Sequence, residues 1–139
     1  MASDDLAVQV WQQFYRLSHR LMQLGTTHLS KYDLTPPQFY ILEKLIEGEE
    51  LIQQDLADRL MVSKGNISQI LKIMEQKALI ERIPDGASNR ILLTDRARKM
   101  LDVLMPELNA FVRANLAELS EHEQMQLLQL LKRFEDSII

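Results

Sequence analysis

Cysteine is absent from this chain of 139 residues, and aromatic residues account for only 6% of it. Without cysteine the protein has no disulfide bonds, no thiolate metal ligands and no thiol-based redox sensor. Glycine and proline occur four times each, which is too seldom for the many tight turns of a β-sandwich. These shortages favour a fold that is mostly α-helical.

Long hydrophobic runs are also missing, since no apolar stretch approaches the roughly 18–20 residues that span a bilayer. The opening sequence MASDDLAVQV has neither the basic flank nor the apolar core of a secretory signal. We therefore expect a cytoplasmic protein that has no contact with a membrane.

Signatures of catalysis and of cofactor binding are missing as well. The sequence contains no phosphate-binding loop, no glycine-rich dinucleotide fingerprint and no Ser/His/Asp spacing typical of a nucleophilic enzyme. Its three histidines, His19, His28 and His122, are too far apart in the sequence for a compact metal site. We expect a protein that is not an enzyme and that binds neither a cofactor nor a metal ion.

The net charge of −4 is unevenly distributed along the chain. The segment from Arg59 to Lys99 contains nine basic and four acidic residues, a net charge of +5, which leaves −9 for the rest. A basic middle lets an acidic protein approach the phosphates of a nucleic acid. On charge alone, a chance cluster on a solvated surface explains the segment equally well.

Hydrophobic periodicity predicts a long amphipathic helix over 6–29 and a short helix over 53–60. Capping signals that predict four more helix starts occur at Thr35, Ser63, Thr94 and Ser120. Strands at 79–83 and 90–93 flank a turn at 84–89 and form a hairpin. The sequence thus predicts a mostly α fold with a small β-hairpin wing.

The segment from Gln53 to Ile70 has the residue pattern of a helix-turn-helix, in which two short crossed helices share an apolar seam. The apolar residues of this seam are Leu56, Leu60, Val62, Ile67 and Ile70. Ala57 lies where the helices come closest and only a small side chain fits. Met61 departs from the pattern, because turns of this kind often have glycine there.

The second helix of such a motif enters the major groove of DNA with its N-terminus first. Its polar side has no acidic residue from Lys64 to Lys72, and its Asn, Gln, Lys and Ser side chains suit base edges and phosphates. With two arginines of the hairpin added, the predicted DNA-binding residues are Ser63, Lys64, Asn66, Ser68, Gln69, Lys72, Arg82 and Arg90. An ordinary polar surface would explain the same side chains.

Four stretches of the sequence resemble the MarR family of bacterial regulators, and the resemblance covers nearly the whole chain. They are LTPPQFYILEKL, QQDLADRL, VSKGNISQILKIMEQKALIERI and RILLTDRARKML. The resemblance implies a winged helix-turn-helix with N- and C-terminal dimerisation helices. It places a single MarR-like domain over 1–139, a DNA-binding lobe at 35–100 and dimerisation helices at 6–30 and 107–139.

The wing departs from the pattern of this family. Family members commonly carry Asp-Arg-Arg in the wing, whereas this chain has PDGASNR, and Ala97 stands where a glycine is usual. Arg90 is then the wing residue that enters the minor groove or, alternatively, binds a phosphate from the strand.

The resemblance also implies a cleft for a small aromatic or lipophilic ligand. The candidate residues for this effector pocket are Tyr15, His19, Met22, Phe39 and Tyr40. Packing in the core is the other explanation for aromatic and methionine side chains at helical spacing.

Together these features predict a sequence-specific transcriptional regulator of double-stranded DNA, a repressor that a small-molecule effector releases from a pseudo-palindromic operator. The apolar stripes over 6–29 and 116–139 exceed what a small lobe can cover, which favours a homodimer over a larger monomeric core. The alternative function is a winged-helix module that binds other proteins and no DNA.

Overall fold

The computed structural model describes residues 4–138, which form six helices and one three-stranded sheet. The helices are α1 (Leu6–Ser30), α2 (Pro36–Ile46), α3 (Gln53–Arg59), α4 (Lys64–Gln76), α5 (Asp95–Asn115) and α6 (Glu121–Ser137). The strands are β1 (Leu51–Ile52), β2 (Ile80–Asp85) and β3 (Ser88–Leu93). The prediction of a mostly α fold with a small β-hairpin wing is confirmed.

The capping residues that the sequence indicated make the expected hydrogen bonds. Thr35 Oγ1 accepts from the N–H of Gln38 at 3.4 Å, and Gln38 Oε1 accepts from the N–H of Thr35 at 3.2 Å, which completes a capping box. A second capping box opens α6 at Ser120. Ser63 and Thr94 accept from backbone N–H groups in the first turns of α4 and α5.

The hairpin is longer and its turn tighter than the sequence suggested, so the prediction of a turn over 84–89 is wrong. Pro84 pairs with Asn89 and Asp85 pairs with Ser88, which leaves a turn of two residues. Gly86 adopts a φ of +64° there, a value that suits glycine. Proline is tolerated in β2 because the sheet order β1-β3-β2 makes this an edge strand.

Strand β1 was not predicted, because its two residues are too few for a periodic signal. Leu51 pairs with Ile91 and Ile52 with Arg90, so β1 adds a third strand on the far side of β3. The pairing holds the start of α3 beside the wing.

The chain groups into two compact units, one ending at Leu101 and one beginning at Asp102, so the boundary falls within α5. The core of the first unit consists of fully buried side chains from α2, α3, α4, β1, β3 and α5, the largest being Ile41, Leu42, Leu51, Leu56, Ile67, Leu71, Met74, Ile91 and Leu101. This core holds the helix-turn-helix and the hairpin together. The expected single domain with its lobe and dimerisation helices stays a prediction.

The two terminal helices bury little of their surface within one chain. Of the 25 residues of α1, all within the described part, only His28 and Leu29 are buried. In the second unit, α6 is described over its whole length and contains no buried residue. Both helices therefore present long apolar faces to their surroundings.

Candidate nucleic-acid interface

Helices α3 and α4 and the turn between them form the motif that the sequence predicted. Leu56, Ala57 and Ile67 are buried in the seam between the two helices. Met61 lies in the turn with a φ of +56°, the left-handed conformation that glycine adopts most easily. Ser63 Oγ accepts from the N–H of Asn66 at 3.1 Å and so fixes the start of α4.

The polar side of α4 is exposed along its length. Ile67, Leu71 and Met74 are buried on the inner side of the helix. On the outer side, Ser68 is half-buried, and the exposed candidates from the predicted set are Ser63, Lys64, Asn66, Gln69 and Lys72. The outer face is thus rich in donors and positively charged, as a surface that reads DNA requires.

Arg82 lies in a polar network that the sequence did not indicate. Its Nε donates to Glu75 Oε1 at 2.7 Å, and its Nη1 donates to Gln53 Oε1 at 3.4 Å. Asn89 Nδ2 donates to the same Gln53 oxygen at 3.1 Å. The network joins α4, both strands of the wing and the first residue of α3. The guanidinium of Arg82 is thus engaged within the protein. Contact between Arg82 and DNA stays a prediction.

Arg90 lies in the middle strand of the sheet, opposite Ile83 on one side and Ile52 on the other. Its side chain is half-buried, and its Nε is buried with no hydrogen-bond partner in the described chain. Neither contact proposed for Arg90, in the minor groove or at a phosphate, is tested by this geometry.

The C-terminal end of α4 is tied to the loop between α1 and α2. Lys77 Nζ lies 3.4 Å from Asp33 Oδ2 and also donates to the carbonyl oxygen of Asp33 and to Gln38 Oε1. These partners are about 40 residues away in the sequence, so spacing gives no sign of them. Glu75 is different, because it is the only acidic residue in α4 and lies seven residues before Arg82. Its isolation in a basic segment was a signal in the sequence for a basic partner.

The five effector-pocket candidates are distributed over two helices. Tyr15 and His19 of α1 form an edge-to-face ring contact, with centroids 4.9 Å apart, and Met22 is exposed on the same helix. Phe39 and Tyr40 lie half-buried on α2. The Tyr40 ring is contacted by the cations of two surface residues, Lys44 at 5.5 Å and Arg59 at 5.7 Å.

A cavity of about 400 Å³ lies against Tyr15, and its other walls are Trp11, Gln12 and Arg16 of the same helix. A depression walled by one helix is not a closed pocket. Whether the five candidates form an effector site stays a prediction.

Between residues 4 and 138, no three His, Asp or Glu side chains are grouped closely enough to hold a metal ion. Within the same range, no helix combines the length and the apolar character needed to span a membrane.

The sequence of this chain is similar to those of known proteins. A model of the MarR family matches residues 32–91, which include the helix-turn-helix and most of the hairpin. An uncharacterised HTH-type transcriptional regulator of Bacillus cereus is 29% identical over 134 residues, which cover 96% of this chain and 91% of that protein.

Solved structures share the architecture. The MepR–DNA complex of S. aureus has a TM-score of 0.77 at 26% identity and covers 91% of this chain and 95% of its own. A MarR family protein from Bacillus stearothermophilus has a TM-score of 0.82 at 20% identity and covers 98% and 97%. A MarR family model thus matches the helix-turn-helix, and relatives that align with nearly the whole chain are HTH-type transcriptional regulators, so the chain is similar in sequence and in fold to the MarR family of winged-helix transcriptional regulators.

Proposed function

We propose that this regulator is a homodimeric repressor that binds a pseudo-palindromic operator in double-stranded DNA and leaves it when a small molecule binds. The observation that carries the proposal is the outer face of α4, from Lys64 to Lys72, which is polar, free of acids and exposed. Such a face inserted in the major groove offers donors to bases while the helix N-terminus approaches the backbone.

The distribution of charge supports DNA as the partner. The segment from Arg59 to Lys99 is net positive in a chain whose total charge is −4. Basic residues near phosphates release counterions, so the affinity of such a protein for DNA falls steeply as salt rises. The S. aureus MepR protein, whose aligned sequence is 26% identical to that of this chain, binds DNA in its solved complex.

The apolar faces of the terminal helices support a homodimer. On α1, Leu6, Val10, Leu17 and Leu21 recur at helical spacing and are 46–72% exposed. On α6, Leu127 and Leu131 stand one turn apart and are also exposed. Most of the stability of an amphipathic helix in a protein comes from packing its apolar face, so a second copy is the natural cover.

The arrangement that we propose is a DNA-binding lobe at 35–100 with dimerisation helices at 6–30 and 107–139, in a single MarR-like domain. A twofold dimer presents two copies of α4, which read two half-sites about one helical turn of DNA apart. The protein then acts in the cytoplasm, where its operator is accessible.

The effector site that we propose includes the aromatic surface of α1. Tyr15 and His19 offer stacked ring edges, and Met22 offers an adaptable apolar side chain on the same helix. These groups suit a small aromatic or lipophilic molecule, whose binding would weaken the affinity for DNA and would itself be weakened by DNA to the same extent.

Titration of a duplex from the region upstream of the regulator's own gene tests the proposal. We expect tight, salt-dependent binding, and a loss of about 1–3 kcal/mol for each contact with DNA removed by Lys64→Ala or Gln69→Ala. The variant Gln76→Ala, at the exposed far end of α4, serves as the matched control and should bind like the wild type. Unchanged affinity of the double variant Lys64→Ala, Gln69→Ala would contradict the assigned reading face.

A protein-binding module without affinity for DNA is the second candidate. It is favoured by the wing, whose two arginines, Arg82 and Arg90, are both half-buried rather than extended into solvent. This candidate predicts the absence of any salt-dependent DNA binding at micromolar protein and a mass by light scattering that fits a monomer or a hetero-complex.

A further inference from the structure

A polar groove of about 320 Å³ lies where the starts of α3 and α4 face the tip of the wing. Its polar walls are the side chains of Gln53, Gln54, Lys64, Ser88 and Asn89. No carboxylate lines it. The groove adjoins Lys64, the first residue of the proposed reading face, whereas its other polar walls are not among the predicted DNA-binding residues.

The orientation of the Gln53 amide in this groove is determined by its neighbours. Arg82 and Asn89 both donate to Gln53 Oε1, at 3.4 and 3.1 Å. A guanidinium has donors only, so the oxygen of the amide must face Arg82. The NH2 group of Gln53 is therefore turned away from the network, and it makes no hydrogen bond to any other residue of the described chain.

Two more donors line the same groove. Ser88 Oγ accepts from the backbone N–H of Gln54 at 3.2 Å, which leaves the Ser88 hydroxyl proton available to donate. Lys64 is exposed and its ammonium has no ion-pair partner among residues 4–138. Three donors, one of them charged, with no acidic side chain beside them, suit an anion whose oxygens only accept hydrogen bonds.

We propose that this groove receives one phosphate of the DNA backbone, held by Gln53, Lys64 and Ser88. Arg82 and Asn89 are positioning residues that aim the Gln53 amide, and Glu75 holds Arg82 in place. The inference rests on the proposed function as a DNA-binding regulator, and it adds the point where the backbone crosses between the helix-turn-helix and the wing. Phosphate contacts at such a point fix the register of the protein on its operator.

The variant Gln53→Glu separates this role from a purely structural one. The carboxylate still accepts from Arg82 and Asn89, so the wing stays in place and the melting temperature is maintained or raised. The same change removes the NH2 donors and sets a negative charge against the phosphate. We expect the affinity for the upstream duplex to fall at least tenfold, with a smaller deficit at high salt because screening weakens the repulsion.

The matched control is Gln76→Glu, which makes the same charge change at the exposed far end of α4 and should alter affinity by less than about threefold. Ser88→Ala, which removes one neutral donor, should weaken binding by an intermediate factor. If Gln53→Glu binds like the wild type while the wild type binds DNA in a salt-dependent manner, the groove is not a phosphate site. If the wild type binds no DNA, the proposed function itself fails.

Duplexes in which single phosphates are replaced in turn by uncharged methylphosphonates locate the contact. At one position in each half-site, the replacement should weaken the wild type and should remove most of the deficit of Gln53→Glu. A uniform response along the backbone would overturn the proposal.

Discussion

Arg82 of β2 and Glu75 of α4 form an ion pair in which the guanidinium Nε and Nη2 lie 2.7 and 2.5 Å from the same carboxylate oxygen. The side chain of Arg82 is only 19% exposed and that of Glu75 is 35% exposed. Because both groups are partly withdrawn from water, their hydrogen bonds are stronger than those of a surface pair. The pair fastens the wing to the helix that we propose reads DNA.

We expect Glu75→Gln to lower the free energy of unfolding by about 1–2 kcal/mol, because a partly buried guanidinium loses its counter-charge. Equilibrium unfolding in urea measures the change. The control is Glu81→Gln, which alters an exposed carboxylate next to Arg82 on β2 and should change stability by less than about 0.5 kcal/mol. Equal effects of the two variants would show that the ion pair contributes nothing specific.

Met61 is strained in the turn of the helix-turn-helix. Its φ is +56°, its side chain is 92% exposed, and so it gains little from packing in return. Glycine adopts this left-handed conformation without the cost of about 1–2 kcal/mol that other residues bear. It also raises the entropy of the unfolded chain, which lowers stability by about 0.4–1 kcal/mol. We expect Met61→Gly to raise the melting temperature slightly, whereas Met61→Ala, which keeps a Cβ atom, should not. A melting temperature lowered by glycine would contradict this account.

Thr94 joins the end of α4 to the start of α5. Its Oγ1 donates to the carbonyl oxygen of Ala78 at 2.7 Å and accepts from the N–H of Ala97 at 3.1 Å. We expect Thr94→Val, which keeps the shape and removes the hydroxyl, to cost about 1–2 kcal/mol of stability. Thr94→Ser retains both hydrogen bonds and should recover most of the loss in a thermal melt.

The stability of α6 should depend on pH through Glu123. The backbone N–H of Ser120 donates to Glu123 Oε1 at 2.9 Å, and this bond, followed by the one to the Ser120 side chain, lowers the pKa of Glu123 below its ordinary value of 4.5. A folded-state pKa that is depressed adds stability above the unfolded pKa, and that stability is lost as pH falls through the folded value.

We therefore expect Glu123→Gln to melt at a lower temperature than the wild type at neutral pH. The difference should shrink as pH falls below 4.5, the ordinary pKa from which that of Glu123 is lowered. Circular dichroism melts over a series of pH values test this expectation. A difference that stays constant down to the acid range would mean that the capping carboxylate contributes no charge-dependent stability.

The apolar face of α6 should be required for dimerisation. Leu127 and Leu131 lie one turn apart and are 40% and 38% exposed in the single chain. We expect the double variant Leu127→Lys, Leu131→Lys to become monomeric by light scattering and to lose helical circular dichroism, because α6 then has no face to bury. Gln129→Lys adds a charge at a polar position of the same helix and should leave the dimer intact. A wild-type monomer would remove the dimer from the proposal.

Much of the fold was readable from the sequence because its signals are local. Capping boxes at Thr35 and Ser120 join residues three apart, and helical periodicity needs only neighbouring turns. The apolar seam of the helix-turn-helix and the acid-free polar run of α4 belong to the same class. Each of these features depends on side chains that the chain itself brings together within a few residues.

Long-range pairing determined the rest. The hairpin extends to a two-residue turn because Pro84 pairs with Asn89 at a sheet edge, although proline in a sequence signals a turn. Gln53 meets Arg82 and Asn89, which are 29 and 36 residues away, and only this meeting turns its amide toward the groove. Local sequence specifies the helices and their caps, whereas the direction in which a polar side chain points depends on partners that only the folded core brings within hydrogen-bonding distance.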